Sequence, residues 1–176
     1  MPKSKRNRPV TLSKTKKKPG SERKGKVVDD IKKAVDQYSS AYVFTYDNMR
    51  NQKLKDLREQ LKSSSRIFLA GKKVMQIALG RSPADEAKTG LHKLSKFLQG
   101  DSGLFFTNLP RDEVERLFRE FEEHDFARTG KAAQTLRLLG IQMATFRLYL
   151  VCRWSCDDFE VYKEGLAHLG ADDDSC

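Results

Sequence analysis

From Val27 to Tyr38 the apolar residues Val27, Val28, Ile31, Ala34, Val35 and Tyr38 recur every three or four positions, the period of a helix with one face against a core. Ser39-Ser40 ends it. Tyr42-Val43-Phe44 is a continuous apolar run, which predicts a short strand buried on both faces. Leu54, Leu57 and Leu61 then form one stripe on a helix over 51–62. A second strand at Ile67-Phe68-Leu69 leads through Gly71 into a short helix over 72–79. After a turn at Gly80, Ser82-Pro83-Ala84-Asp85 reads as a helix start, with a capping serine, a proline at the first helical position and an answering acid. Leu91, Leu94, Phe97 and Leu98 would be its apolar face. Gly103-Leu104-Phe105-Phe106 predicts a third strand. Pro110, Asp112 and Glu113 open a helix that buries Val114, Leu117, Phe118 and Phe121, with Glu120, Glu122, Glu123 and Asp125 on its charged side. Residues 134–143 read as helical. Thr145–Arg153 alternates, with Phe146, Leu148, Leu150 and Cys152 facing one way and Arg147, Tyr149 and Arg153 the other, so the last strand is half exposed. Strands alternating with helices predict an α/β fold, an open mixed sheet of about four strands with helices packed on it.

Charge divides the chain differently. Its formal net charge is +10 over 176 residues, and residues 1–26, with eleven Lys/Arg against Glu22 alone, account for all of it. Such a segment has too few apolar side chains to offset the entropy of ordering. The expected organisation is a disordered basic arm over 1–26, one folded domain over 27–155 and a tail over 156–176. A cationic arm on a neutral body suits a polyanion, RNA first: each arm cation that meets a phosphate releases a counterion and adds salt-dependent affinity without base readout. The body is itself polarised, net +6 over 27–100 and net −6 over 101–176, which directs an RNA face to the first half. No stretch approaches the roughly 18 apolar residues that span a bilayer, and Met-Pro-Lys-Ser-Lys-Arg at the start lacks a secretory core. Three cysteines near one end fit a reducing compartment better than a disulfide framework.

Two turns carry the candidate chemistry. Asn48-Met49-Arg50-Asn51-Gln52-Lys53 stands where the first strand passes to its helix, the end of an open α/β sheet at which ligands gather. Asn48, Arg50, Asn51 and Lys53 there could grip phosphates and base edges; the alternative is a solvated helix start. Gly71-Lys72-Lys73 repeats that position after the second strand, and with Arg81 would extend a phosphate-binding rim; plain exposed lysines are the alternative. The Gly71-Lys72 pair is not a Walker loop, because Arg66 and Lys73 replace the required glycine and Ser/Thr. Cys152 and Cys156 lack metal-ligand spacing, and Cys152 reads as a core residue. No acid pair, nucleophile–base set, metal site or cofactor motif emerges, which argues against an enzyme.

Met-Pro-Lys-Ser-Lys-Arg, Asn48-Met49-Arg50-Asn51, Leu54-Lys55-Asp56, Val74-Met75, Ala78-Leu79-Gly80-Arg81-Ser82-Pro83 and Phe106-Thr107-Asn108 resemble the mRNA turnover protein 4 family over residues 1 to about 154. That family is the ribosome-assembly relative of the stalk-base ribosomal protein L10, called P-zero in eukaryotes. The resemblance implies a non-catalytic factor without a cofactor, nucleolar and nuclear, that travels on pre-60S particles toward the cytoplasm. It would bind large-subunit rRNA at the GTPase-associated region, as a monomer beside the L-eleven-type protein (L-twelve in eukaryotes), until exchanged for the mature stalk-base protein. Carried onto this chain, the RNA contacts would be the arm (Lys3, Lys5 and Arg6 among them), Asn48, Arg50, Asn51 and Lys53, Lys72 and Lys73, Arg81, and Arg128 in its Ala-Arg-Thr-Gly run. One departure is large: the family's inserted domain is absent near 133–134, where Gln134 follows Ala133 at once. The stalk-base ribosomal protein itself and an RNA-processing enzyme are the competing readings.

Overall fold

The computed structural model describes residues 20–127, 131–156 and 158–170. Along them run α1 (Gly20–Gln37), β1 (Ser40–Asp47), α2 (Asn51–Gln60), β2 (Ser65–Phe68), α3 (Lys72–Leu79), α4 (Leu91–Lys96), β3 (Ser102–Thr107), α5 (Arg111–Glu120), β4 (Glu122–Asp125), α6 (Lys131–Leu138), β5 (Ala144–Ser155), β6 (Asp158–Val161) and α7 (Lys163–Gly170).

The strands form one sheet in the order β2-β3-β1-β5-β4, with β6 also on β5. β4 pairs with Ala144–Arg147 and β6 with Cys152–Ser155. The α/β class is as the sequence predicts, but the described residues form six strands rather than about four, and every ladder among them is antiparallel rather than mixed. β1 and β2 do run in the same direction, as a strand–helix–strand unit requires; β3 enters between them in the opposite sense. The two unforeseen strands, β4 and β6, are four residues each and rich in charge, so they lack an apolar period. Charge on short edge strands discourages pairing with other chains. Glu122, Glu123 and Asp125, expected on a helix face, are therefore on edge strand β4, and residues 158–170, expected as tail, form β6 and α7.

Helices cover both faces. On the first face Ile31, Ala34 and Val35 of α1, Met75, Ala78 and Leu79 of α3 and Leu91 and Leu94 of α4 pack on Ala41, Val43, Leu104 and Phe106. On the second, Leu54 and Leu57 of α2 and Val114 and Phe118 of α5 pack on Tyr42, Phe44 and Phe105. β1 and β3 are thus buried on both sides, as their unbroken apolar runs predict.

β5 serves both cores through one irregularity. Val43 pairs with Cys152 but Phe44 pairs with Leu150, so Val151 is an extra residue in β5, a bulge that shifts the alternation by one. Phe146, Leu148 and Leu150 face the second core, whereas Val151, Cys152 and Trp154 face the first. The single alternating face expected for Phe146 through Cys152 is corrected by this slip. Cys152 is a core residue, and burial pushes its thiol up to about 12.

Two helix boundaries also move. α1 begins at Gly20, so the last seven residues of the segment expected to be disordered are helical. Glu22 in the first turn and Lys26 four residues on suit a helix start and an i,i+4 pair. The helix expected from Ser82 instead starts at Leu91. Gly80 has φ +101° and Gly90 φ +87°, conformations that interrupt a helix, and the intervening segment is held by Glu86. Its Oε2 accepts from Gly90 N at 3.0 Å and from His92 N at 3.4 Å and lies 2.6 Å from His92 Nδ1. The His92 hydrogen bond, foremost, holds the Glu86 carboxyl below its ordinary range.

Because its folded pKa is depressed, Glu86 stabilises the fold above the ordinary glutamate value of about 4.3, and that stability is lost as pH falls through the lower folded value. Glu86→Gln is expected to lower Tm at neutral pH, with the gap from wild type closing in acid; melts across pH 3.5 to about 7 check it. Gly165 of α7 is buried where an added Cβ would collide with the Leu150 carbonyl. Gly165→Ala should therefore cost about 1–3 kcal/mol in urea unfolding and loosen α7 in hydrogen exchange.

Candidate nucleic-acid interface

β1 and β2 finish at the same end of the sheet, where β3 and β5 begin and β4 finishes. The Asn48–Lys53 and Gly71–Lys73 turns are therefore brought to one end, as their matching positions predict. Two strand spacings separate β1 from β2 across β3, about 10 Å. The helices that follow diverge, because α2 lies on the second face and α3 on the first.

The first turn is built from its backbone outward. Asn48 adopts φ +50°, the left-handed region asparagine tolerates better than most residues, and its Nδ2 donates to Thr145 O at 3.2 Å. Arg50 is the N-cap of α2 in extended conformation. Its side chain does not point into solvent: the residue is only 7% exposed. Nε is paired with Asp125 and Nη2 donates to Phe126 O at 2.7 Å. The guanidinium fork thus ties the β1–α2 turn to the end of β4, a role that needs two fixed donors. Arg50, expected at the RNA surface, is a clamp inside the protein. Lys53 Nζ lies 2.8 Å from Glu123 Oε2 on the same strand, and this hydrogen bond, foremost, raises its pKa. Asn51 is exposed at the first position of α2.

The second turn is different in kind. Lys72 and Lys73 are exposed at the start of α3, and among the described residues neither enters an ion pair. Arg81 is exposed but is not brought to them. It follows the far end of α3, on the segment where Trp154 Nε1 donates to Thr89 O at 3.0 Å and Lys88 Nζ donates to Val35 O at 2.5 Å. Both contacts belong to the opposite end of the sheet, near the start of β1. Lys3, Lys5, Arg6 and Arg128 lie outside the described residues.

Two features escaped the sequence reading, the helix under the end of the basic arm and the acids beside the first turn. Arg23, Lys24 and Lys26, counted in the basic arm, are exposed on the first two turns of α1, which sets them about 16–21 Å along the helix from its β1 end; the Glu22–Lys26 spacing was the available signal for that helix. The acids that engage the first turn, Glu123 and Asp125, had none, since nothing in a four-residue charged stretch marks a strand. Among the described residues no group of three or more His, Cys, Asp or Glu could hold a metal ion, and no helix is long and apolar enough to cross a membrane. What the end of the sheet can do is bind anions electrostatically, through Lys72, Lys73 and the exposed edge of the first turn.

Residues 19–123 match a family model described as ribosomal protein L10. The chain is 50% identical over 131 residues to a protein named ribosome assembly factor mrt4 from Dictyostelium discoideum, covering 74% of this chain and 57% of that protein. It is 42% identical over 133 residues to the protein of that name from Schizosaccharomyces pombe (76% and 54%). With the one from Saccharomyces cerevisiae the identity is 35% over 133 residues (76% and 56%). The chain spans about half the length of the curated relatives it matches.

Arg50→Ala is expected to destabilise the fold by about 1.5–3 kcal/mol, the range for losing hydrogen bonds to a charged group, with Arg50→Lys restoring only part because an ammonium cannot reproduce the fork. Urea unfolding of the three proteins measures it.

Proposed function

This chain belongs to the ribosomal protein L10 family, and from that premise we propose that it is a non-catalytic ribosome assembly factor. In this reading it binds large-subunit rRNA at the stalk base of pre-60S particles, in the nucleolus and nucleus, and holds the site until the mature stalk-base protein replaces it. The observation that carries the RNA part is the pair of exposed lysines Lys72 and Lys73, which enter no ion pair among the described residues, at the sheet end that also presents the β1–α2 turn. The assembly part rests on the relatives named ribosome assembly factors. Phosphate contacts would position the protein, and the exposed Asn51 amide is the group at this end best suited to a base edge.

The roles follow from the geometry. Lys72 and Lys73 supply charge without first breaking a pair. Arg50 acts through the shape of the turn and touches no RNA. Arg23, Lys24 and Lys26 extend the cationic field along α1, and Lys3, Lys5, Arg6 and Arg128 are proposed to add further phosphate contacts. A neighbouring L-eleven-type protein would meet the chain on the particle. The stretch that longer relatives have and this chain lacks, taken to be an insertion near 133–134, adjoins Leu138, Leu139, Ile141 and Met143, which are 89, 68, 45 and 64% exposed. In a relative with that insertion, these side chains are where it would pack.

A placeholder competes with its successor. The chain and the mature stalk-base protein should bind one stalk-base rRNA fragment exclusively in a gel-shift titration; a ternary complex overturns the reading. Lys72→Ala with Lys73→Ala should weaken binding and reduce the slope of log K against log salt by about 1–2, roughly 0.7–0.9 for each phosphate that is no longer neutralised.

A further inference from the structure

The two cationic turns at this end of the sheet are in different electrostatic states. Lys72 and Lys73 are uncompensated among the described residues. Three cations beside β4 are each matched to one of its acids: Arg147 Nη2 lies 2.6 Å from Glu122 Oε1, Lys53 Nζ lies 2.8 Å from Glu123 Oε2, and Arg50 is paired with Asp125. These pairs are not equivalent. The Arg50 side chain is 8% exposed and also bound to Phe126 O, so opening its pair would strip the turn of its support. The Lys53–Glu123 pair is open to water at both ends, at 43% and 38% exposure. An exposed ammonium–carboxylate pair is weakly held, and a dissolved anion can reach it.

We propose that Glu123 is an internal stand-in for an RNA phosphate: its carboxylate occupies Lys53 in the free protein, and the RNA backbone takes the lysine by exchange. The inference rests on the RNA-binding reading above and adds to it a residue that sets the strength of the grip. Arg50 and Asp125 stay together during the exchange and keep the turn in place, so the swap needs only side-chain rotation at the surface. Glu123 then opposes binding twice. It competes for the Lys53 ammonium before RNA arrives, and once displaced it stands as an unpaired negative charge beside the phosphate. Lys72 and Lys73 carry no such opposition, so this reading makes them the first contacts and Lys53 a later one.

The test measures affinity of the full chain for the stalk-base rRNA fragment across a salt series, with an unrelated hairpin of equal length alongside. Glu123→Gln removes the competing charge and keeps the side chain's shape. Glu120→Gln, an exposed acid at the end of α5 with no ion pair among the described residues, removes an equal charge nearby. Lys53→Ala is combined with each. Glu123→Gln should tighten binding about two- to five-fold, as expected for an exposed pair, and by more than Glu120→Gln. In the Lys53→Ala background its gain should fall to that of Glu120→Gln. Equal gains from the two glutamine variants, or the same Glu123→Gln gain with and without Lys53, overturn the exchange while leaving RNA binding intact. If wild type does not distinguish the fragment from the hairpin, the rRNA reading fails and the exchange falls with it. Unchanged Tm in the glutamine variants shows that the fold is not the cause.

Discussion

A strand buried on both faces must find partners for all of its backbone groups, because an unpaired amide or carbonyl away from water is too costly to keep. β1 is that strand here. Its two ladders are with β3 and with β5, both antiparallel, and both partners lie more than fifty residues further along the chain. The neighbouring β1–α2–β2 unit cannot satisfy β1, since β2 pairs with β3 and not with β1. The centre of the protein is therefore closed by distant segments, and the local strand–helix units are arranged around that closure.

The extra residue at Val151 follows from the same demand. Arg147–Ser155 of β5 runs beside all of β1, and the helices above and below that sheet do not ask for apolar groups at the same places. At one end of the strand the need is on the side of Phe118 and Phe121; at the other it is on the side of the helices that pack on Trp154. Inserting one residue changes the side to which the alternation points. The outer edge of β5 is then divided between two short charged strands, which leaves little of it open to pairing with another chain.

Much of the fold was legible in the sequence because burial leaves a period. Tyr42–Phe44, Leu104–Phe106 and the stripes Ile31-Ala34-Val35, Leu54-Leu57 and Val114-Phe118 appear in the core as their spacing requires. What was not legible lacked a period or had a misleading one. Glu122–Asp125 is a strand only because β5 offers it an edge. Ser82-Pro83 has helix-start chemistry, but Gly80 and Gly90 at positive φ, together with the bonds to Glu86, fix a different path. For the candidate interface, strand-end positions correctly predicted that the Asn48 and Gly71 turns share one end of the sheet. They could not show that Arg81 sits a helix length away, nor that Asp125, 75 residues from Arg50, would draw that arginine inward. Side-chain type foretold a charge at each position, and only tertiary contact decided whether the charge faced water.

The inward turn of Arg50 separates two kinds of loss that look alike from outside. A harmful change at Lys73 would leave a full complement of folded protein with a weaker hold. One at Arg50 would act by dose, leaving fewer folded molecules of nearly normal quality as the unfolded ones are removed by quality control. Lower growth temperature would rescue the second and do little for the first, so two residues of apparently similar chemistry would differ in how their loss responds to conditions that favour folding.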